Sequence, residues 1–312
     1  MSGNLGILYL DVKLNGAGLS GTPVRRFGAE RTIVLTGEFA DARYLCVKVI
    51  GMGGRTVIDL KDKVVMIAGA NGGIGSHVAE VLVECGATTA LSFHNNSARL
   101  AEVRTKATSA GTKCHVAQVD MTSIDATVRW AESVLSICGK IDATVNCCGS
   151  NGPFMLFADQ DPSGWPKMLD IELMSSVYLS KAVVHHMMER KQGRIISLGS
   201  DSGKVGNSGS SISAAARGGL NSFSKSLARE LARYGVTVNT VCPGPTETPN
   251  LEGIRSQGDT GAKIVNAMLR AIPLGRAGDP RDVGWLIAFL ASDHASYITG
   301  QALSISGGLT MC

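Results

Sequence analysis

The run Gly69-Ala70-Asn71-Gly72-Gly73-Ile74-Gly75 is a place where residue types and spacing could do chemistry. Glycines at these intervals let a backbone turn sharply and come close to a pyrophosphate. A helix starting at the end of such a loop attracts the anion to its N-terminus. The motif has this meaning only between a strand and a helix. KVVMIA, at 63–68, reads as a buried strand. Residues 74–85 read as a helix, with Val78, Val81, Leu82 and Cys85 at i, i+3, i+4 and i+7, and Gly86 stops it.

The elements around this loop repeat one pattern. Further strand runs fall at 88–93, 114–119, 141–146, 194–198, 236–242 and 302–306. Helical stretches lie between them, at 98–110, 123–137, 165–190, 212–234 and 280–291. Strands separated by helices pair in parallel through right-handed crossovers, so the expected fold is α/β, a doubly wound parallel sheet with helices on both faces. Residues 1–56 differ: ILYLDVKL, RTIVLTGEF and YLCVKVIG alternate between apolar and polar positions, broken by Gly, Asn and Pro. They predict a small β-rich appendage of two to four strands before a dinucleotide-binding domain at 57–312. The alternative is translation from Met52.

Composition narrows the function classes. Of 312 residues 44% are apolar and 38 are Gly, which suits a tightly turned α/β protein with a large core. The net charge of +4 is scattered, without the basic cluster that nucleic-acid binding needs. The eight cysteines form no CxxC pair and no His cluster accompanies them, so no metal site is expected. Most lie in apolar patterns, which points to a reducing cytoplasm. No apolar run reaches the ~18 residues of a membrane span, and no signal peptide is visible at the N-terminus.

The spacing G-x-x-x-G-x-G resembles the short-chain dehydrogenase/reductase family, and later segments extend the likeness in order from about Val57 to Cys312. Val119-Asp120-Met121 is similar to the family's adenine-contacting acid after the third strand. Asn146-Cys147-Cys148-Gly149 resembles its Asn-Asn-Ala-Gly turn with two substitutions. Asn239 and Pro243-Gly244-Pro245-Thr246-Glu247-Thr248 match its sixth-strand Asn and Pro-Gly turn. IPLGR at 272–276 and ITGQ at 298–301 match its C-terminal signatures. VCPGPTET, AIPLGRAGDP and ITGQALSISGGLTM look most like 2-hydroxycyclohexanecarboxyl-CoA dehydrogenases. The resemblance implies a seven-stranded sheet of order 3-2-1-4-5-6-7 and a nicotinamide cofactor. Gly69, Asn71, Gly73, Ile74, Gly75, Asp120, Met121, Asn146, Gly149, Pro243, Gly244, Thr246 and Thr248 would hold that cofactor. It also implies a homodimer or homotetramer paired through the two long helices.

Cofactor choice rests on Ser92-Phe93-His94-Asn95-Asn96-Ser97, at the end of the second strand. An NAD enzyme usually places an acid there for the ribose 2′-hydroxyl. None is present, and His94, Asn95, Asn96 and Ser97 could donate to a 2′-phosphate, so NADP is favoured. Against this, Gly72 stands where many NADP members carry a basic residue. If the acid is simply absent, NAD binds as well.

At the catalytic positions the resemblance breaks down. The family uses Asn, Ser, Tyr and, four residues after Tyr, Lys. Ser200 fits the Ser, but Ser213 stands for Tyr, Arg217 for Lys and Glu172 for Asn, in a register fixed by SISAAARGGLNSFSKSLARE. A phenol of pKa about 10 can be tuned by a neighbouring ammonium into a proton donor. A serine hydroxyl is a far weaker acid, and losing a positioned acid costs about 10²- to 10⁴-fold. Arg217 keeps the charge as a wide planar fork, which could also bind the cofactor ribose. A lone buried charge at 172 or 217 would be costly, so a direct Glu172–Arg217 ion pair is expected. The alternative has Glu172 swung to solvent. His185-His186 reads as helix-end packing and Cys147-Cys148 as small core fillers. The expected function is NAD(P)-dependent oxidoreduction at a hydroxyl or ketone of a small, cyclic or CoA-linked substrate. The alternatives are a non-redox acid–base enzyme using Glu172, Ser200, Ser213 and Arg217, or a non-catalytic cofactor-binding subunit.

Overall fold

The structure, a computed structural model, describes residues 58–149 and 154–312 and, within residues 1–57, four short strands. Met1–Val57 and Ile58–Cys312 form two compact units. In the first, β1 (Ile7–Tyr9), β2 (Arg25–Arg26), β3 (Thr32–Val34) and β4 (Cys46–Val49) form an antiparallel sheet of order β1-β4-β3-β2.

The second unit is built on β5 (Val64–Ala68), β6 (Thr88–Phe93), β7 (Cys114–Gln118), β8 (Ala143–Asn146), β9 (Gly193–Leu198), β10 (Val236–Pro243) and β11 (Ala302–Ile305). All pairings are parallel and the order is β7-β6-β5-β8-β9-β10-β11, the expected 3-2-1-4-5-6-7. Every residue of β5, β8, β9 and β10 is buried, as a strand covered on both faces requires. One face packs beneath α1 (Gly75–Glu84), α2 (Ala98–Ala110) and α10 (Pro280–Ala291), through Val78, Leu82, Leu100, Val283 and Ile287. The other packs beneath α3 (Ile124–Cys138), α5 (Ser175–Arg190) and α7 (Ser211–Leu231), through Trp130, Leu179, Val183 and Leu231. The strand order reverses between β5 and β8, and in such sheets ligands lie in the crevice beyond the strand C-termini at that switch point.

Three helical details differ from the sequence expectation. The stretch 165–190 is α4 (Trp165–Leu169), a π-turn (Asp170–Met174) and then α5, not one helix. At that break Ser175 Oγ donates to the Ile171 carbonyl at 2.6 Å, and Asn146 Nδ2 donates to Ser175 Oγ and Ser176 Oγ at 2.8 and 2.7 Å. Side chains inserted at the ladder favour such a widened turn, a local geometry frequent at functional sites. The stretch 212–234 ends as a 3₁₀ turn over Ala232–Tyr234. Finally, α6 (Ser202–Val205), α8 (Pro249–Arg255) and α9 (Gly258–Ala271) stand where no helix was expected.

Candidate active site

The loop after β5 is wound tightly enough to require its glycines. Gly69 has φ +67°, and a Cβ there would lie 3.0 Å from the Cys148 amide nitrogen. A Cβ on Gly75 would lie 2.3 Å from the Gly69 carbonyl oxygen, and one on Gly73 would lie 2.9 Å from Pro249. The loop therefore presents bare backbone to the space between it and the 248–249 segment. No side chain caps α1 and its first turn holds no acid, so its N-terminal dipole faces any anion there uncompensated.

This loop forms one wall of a cleft of about 850 Å³. Asn71, Gly73, Ile74 and Gly75 line it from one side, and Pro243, Gly244, Thr246 and Thr248 from another. Gly149, Ser200, Ser213 and Arg217 also border it. Thr248 caps α8, accepting from the Leu251 amide at 3.4 Å, so the Pro-Gly turn delivers the helix against Gly73. Asn239 ties β10 to the ITGQ turn, donating to the Ile298 carbonyl at 2.7 Å and accepting from the Gln301 amide at 3.1 Å.

The other expected cofactor residues are placed differently. Asn146 is buried and spent on protein: besides its bonds to Ser175 and Ser176 it accepts from the Cys148 amide at 2.8 Å, holding the 146–149 turn. Asp120 accepts from the amide and hydroxyl of Thr122 at 2.9 and 2.7 Å, and the hydroxyl bond holds its carboxyl below the usual range. Met121, beside it, is buried. His94, Asn95 and Asn96 are exposed after β6, and Asn96 accepts from the Ala98 amide at the start of α2. None of these three borders the cleft, whereas Arg99 does, its guanidinium donating to the Asn71 carbonyl at 3.3 Å. Arg99 was not singled out from the sequence. Its signal was available: a cation two residues into the helix after the second strand.

Ser213, Arg217 and Glu172, the residues expected at the catalytic positions, meet in one cluster. Ser213 Oγ donates to Glu172 Oε2 at 2.6 Å, and Arg217 Nε lies 3.2 Å from the same oxygen. Glu172 is 3% exposed, set inward by the π-turn. The alternative in which it swings to solvent does not occur. Arg217, itself buried, also donates to the Leu198 carbonyl at 2.6 Å and the Cys148 carbonyl at 3.2 Å, so the ends of β9 and β8 both anchor it. Ser200 Oγ accepts from the Ser202 hydroxyl at 2.9 Å. Burial raises the thiol pKa values of Cys147 and Cys148, the latter to about 12, which suits inert fillers rather than nucleophiles. His186 accepts from the Ile141 amide at 3.1 Å, a packing role at the end of α5.

Two further residues of the cleft were not expected. Phe154 closes one side and packs against Gly209, with no sequence signal to mark it. Asp201 is buried beside Ser200, and neither carboxylate oxygen has a hydrogen-bond partner among the described residues.

A doubly wound parallel sheet with a glycine-cradled helix terminus at its switch point defines a dinucleotide-binding α/β protein. The chain belongs to the short-chain dehydrogenase/reductase family of oxidoreductases. Residues 68–310 match a family described as enoyl-(acyl carrier protein) reductase. The 3-oxoacyl-[acyl-carrier-protein] reductase FabG of Vibrio harveyi is 37% identical over 254 residues, 81% of this chain and 100% of that protein. An acetoacetyl-CoA reductase of Allochromatium vinosum is 32% identical over 80% of this chain and 99% of its own length. The crystal structure of gox2181 superposes with a TM-score of 0.75 at 27% identity, covering 81% of this chain and 97% of that one. Among the described residues no helix is long and apolar enough to cross a membrane.

Proposed function

We propose that this protein is an NADP-dependent oxidoreductase acting on the hydroxyl or ketone of a small acyl substrate, CoA-linked and in the narrowest reading cyclic, as in 2-hydroxycyclohexanecarboxyl-CoA. The observation that carries the reading is the cleft, which runs from Arg99 and the bare glycine loop to Ser213 and Arg217. The glycine cradle and the uncapped α1 terminus fit a pyrophosphate, and Arg99 fits a 2′-phosphate. When bound, the cofactor supplies a hydride. The chain's own residues hold the dinucleotide, place a substrate beside Ser200 and Ser213, and anchor the charge of Arg217 under the pocket. Two relatives named for the reduction of 3-oxoacyl and acetoacetyl thioesters support a thioester-borne ketone. The replacements Ser213, Arg217 and Glu172 mark a variant of the family's active site.

The test is NADPH consumption with acetoacetyl-CoA and a panel of cyclic ketones, beside an NADPH binding titration. Oxidation of NADPH by one of these substrates supports the reading. A second reading is non-redox acid–base chemistry or cofactor binding alone. The closed Ser213–Glu172–Arg217 contact favours it, and NADPH bound without oxidation would select it.

The same reading includes a homodimer or homotetramer. A groove of about 630 Å³ between α5 and α7, with Val184, Met188, Phe223 and Leu227 on its walls, supports this pairing. A monomer in sedimentation at micromolar concentration would remove it. The seven described cysteines are all free thiols, which suits a cytoplasmic location.

A further inference from the structure

Resting on the oxidoreductase reading, we propose that Glu172 is the proton store of this site and that the Ser213 hydroxyl relays protons between it and the substrate oxygen. Three observations carry this. The Ser213 hydrogen is committed to Glu172 Oε2 at 2.6 Å, which leaves the lone pairs of Oγ for another donor. Ser213 borders the cleft, whereas Glu172 is 3% exposed behind it. A ligand hydroxyl in the cleft that donates to Ser213 Oγ therefore completes a chain of hydrogen bonds ending on a carboxylate. The base is also fixed: Arg217 holds Glu172 Oε2 at 3.2 Å while itself pinned to the carbonyls of Leu198 and Cys148. Arg217 is a positioning residue in this arrangement.

In the oxidising direction the substrate O–H bond breaks and its proton moves to Ser213 Oγ. The original Ser213 proton passes to Glu172 Oε2. The carbinol C–H bond breaks with its electron pair, which leaves as hydride to the oxidised nicotinamide dinucleotide, and the C=O bond forms. A carboxylate is a weak base, but the substrate hydroxyl becomes strongly acidic as hydride departs, so the transfer is downhill late in the step. Reduction runs the same route backwards, with the proton returned from Glu172 through Ser213. Serine never has to act as an acid alone, which removes the difficulty raised by the missing phenol. Ser200, bonded to Ser202, is left to orient the substrate oxygen.

The experiment compares the full chain with Ser213→Ala, Glu172→Gln and Glu172→Asp. The readouts are NADPH affinity by fluorescence, kcat and KM in both directions, and the solvent deuterium isotope effect on kcat. The relay predicts unchanged NADPH affinity in all three variants. It predicts a kcat loss on the order of 10²- to 10⁴-fold in Ser213→Ala and Glu172→Gln, equal in the two directions, with partial recovery in Glu172→Asp. It also predicts a normal solvent isotope effect in the wild-type protein that Glu172→Gln alters. If Glu172→Gln keeps full turnover, the relay alone is overturned and the oxidoreductase reading stands. A wild-type protein that binds NADPH but turns over neither alcohol nor ketone overturns both. If the Gln variant fails to bind NADPH, the wild-type isotope effect decides, and a value of unity overturns the relay.

Discussion

Replacing Arg217 by Met should be among the most destabilising single changes in the second unit. The guanidinium's shortest contacts are to Glu172 Oε2 at 3.2 Å, the Leu198 carbonyl at 2.6 Å and the Cys148 carbonyl at 3.2 Å. Removing the cation from a carboxylate only 3% exposed costs about 3–5 kcal/mol, and each carbonyl losing its donor adds about 1 kcal/mol. These contributions overlap, so the expected total is about 4 kcal/mol, a large part of a typical stability of ~5–15 kcal/mol. Pairing Arg217→Met with Glu172→Gln removes the buried charge that had lost its counter-ion, and should return about 2 kcal/mol as a coupling energy. The assay is urea unfolding at one fixed protein concentration, followed by circular dichroism and Trp fluorescence, with unchanged m-values as the check on two-state behaviour. A loss below about 1 kcal/mol for Arg217→Met, or no recovery in the double variant, would refute the claim that this pair is a coupled, buried unit.

Other consequences follow from the same structure. Arg99→Ala should weaken NADPH binding about 10- to 100-fold, the worth of a charge-assisted hydrogen bond, while leaving NADH affinity nearly unchanged; equal losses for both would remove Arg99 from the 2′-phosphate. Asp142 is buried, and although burial alone would raise its pKa, bonds from Arg190 at 2.8 Å, the Val64 amide at 2.8 Å and Lys140 at 3.1 Å hold it below the ordinary value. Its folded pKa being depressed, its contribution is present above the unfolded value of about 4 and is lost as pH falls below that; Asp142→Asn should flatten the acid limb of stability measured by urea midpoint. Asp201→Val should stabilise the fold by about 1 kcal/mol or more by removing a buried carboxylate that has no partner among the described residues, and a destabilised variant would reveal a water or ligand bonded there. The combined change Ser213→Tyr, Arg217→Lys and Glu172→Asn should raise NADPH-dependent ketone reduction, and a folded, cofactor-binding triple variant with no gain would mean the pocket has diverged beyond its proton donor.

Much of the second unit was legible because its strands are short, apolar and separated by amphipathic helices. The ends of β6, α2 and α10 coincide with the expected ranges, since Gly111 closes α2 and the Asp279 capping box opens α10. The π-turn at Asp170–Met174 could not be read from periodicity. Helical spacing continues across it, while the contacts beside it, from Asn146 to the Ser175 and Ser176 hydroxyls, are tertiary. α9 was missed because Gly258 and Gly261 argue against a helix, although Ile264, Val265, Met268 and Leu269 carry the apolar stripe. At the site, charge compensation was legible: an acid at 172, expected where the resemblance implies a neutral Asn, had to meet the cation at 217, and they lie 3.2 Å apart. The Ser213 bond to the same oxygen was not legible, because a hydroxyl rotates to whichever acceptor the fold supplies. Arg99 escaped because a single exposed cation on a helix is ordinarily a solvated charge.

The proposed function requires that the cleft beside Gly69–Gly75 take a phosphorylated nicotinamide dinucleotide. Calorimetric titration of the full chain with NADPH and, separately, NADH measures this directly. Saturable binding at one site per chain is expected, with NADPH the tighter ligand, and Gly75→Ala, whose Cβ would lie 2.3 Å from the Gly69 carbonyl oxygen, should abolish it. Absence of binding for both dinucleotides, or undiminished binding in Gly75→Ala, would contradict it.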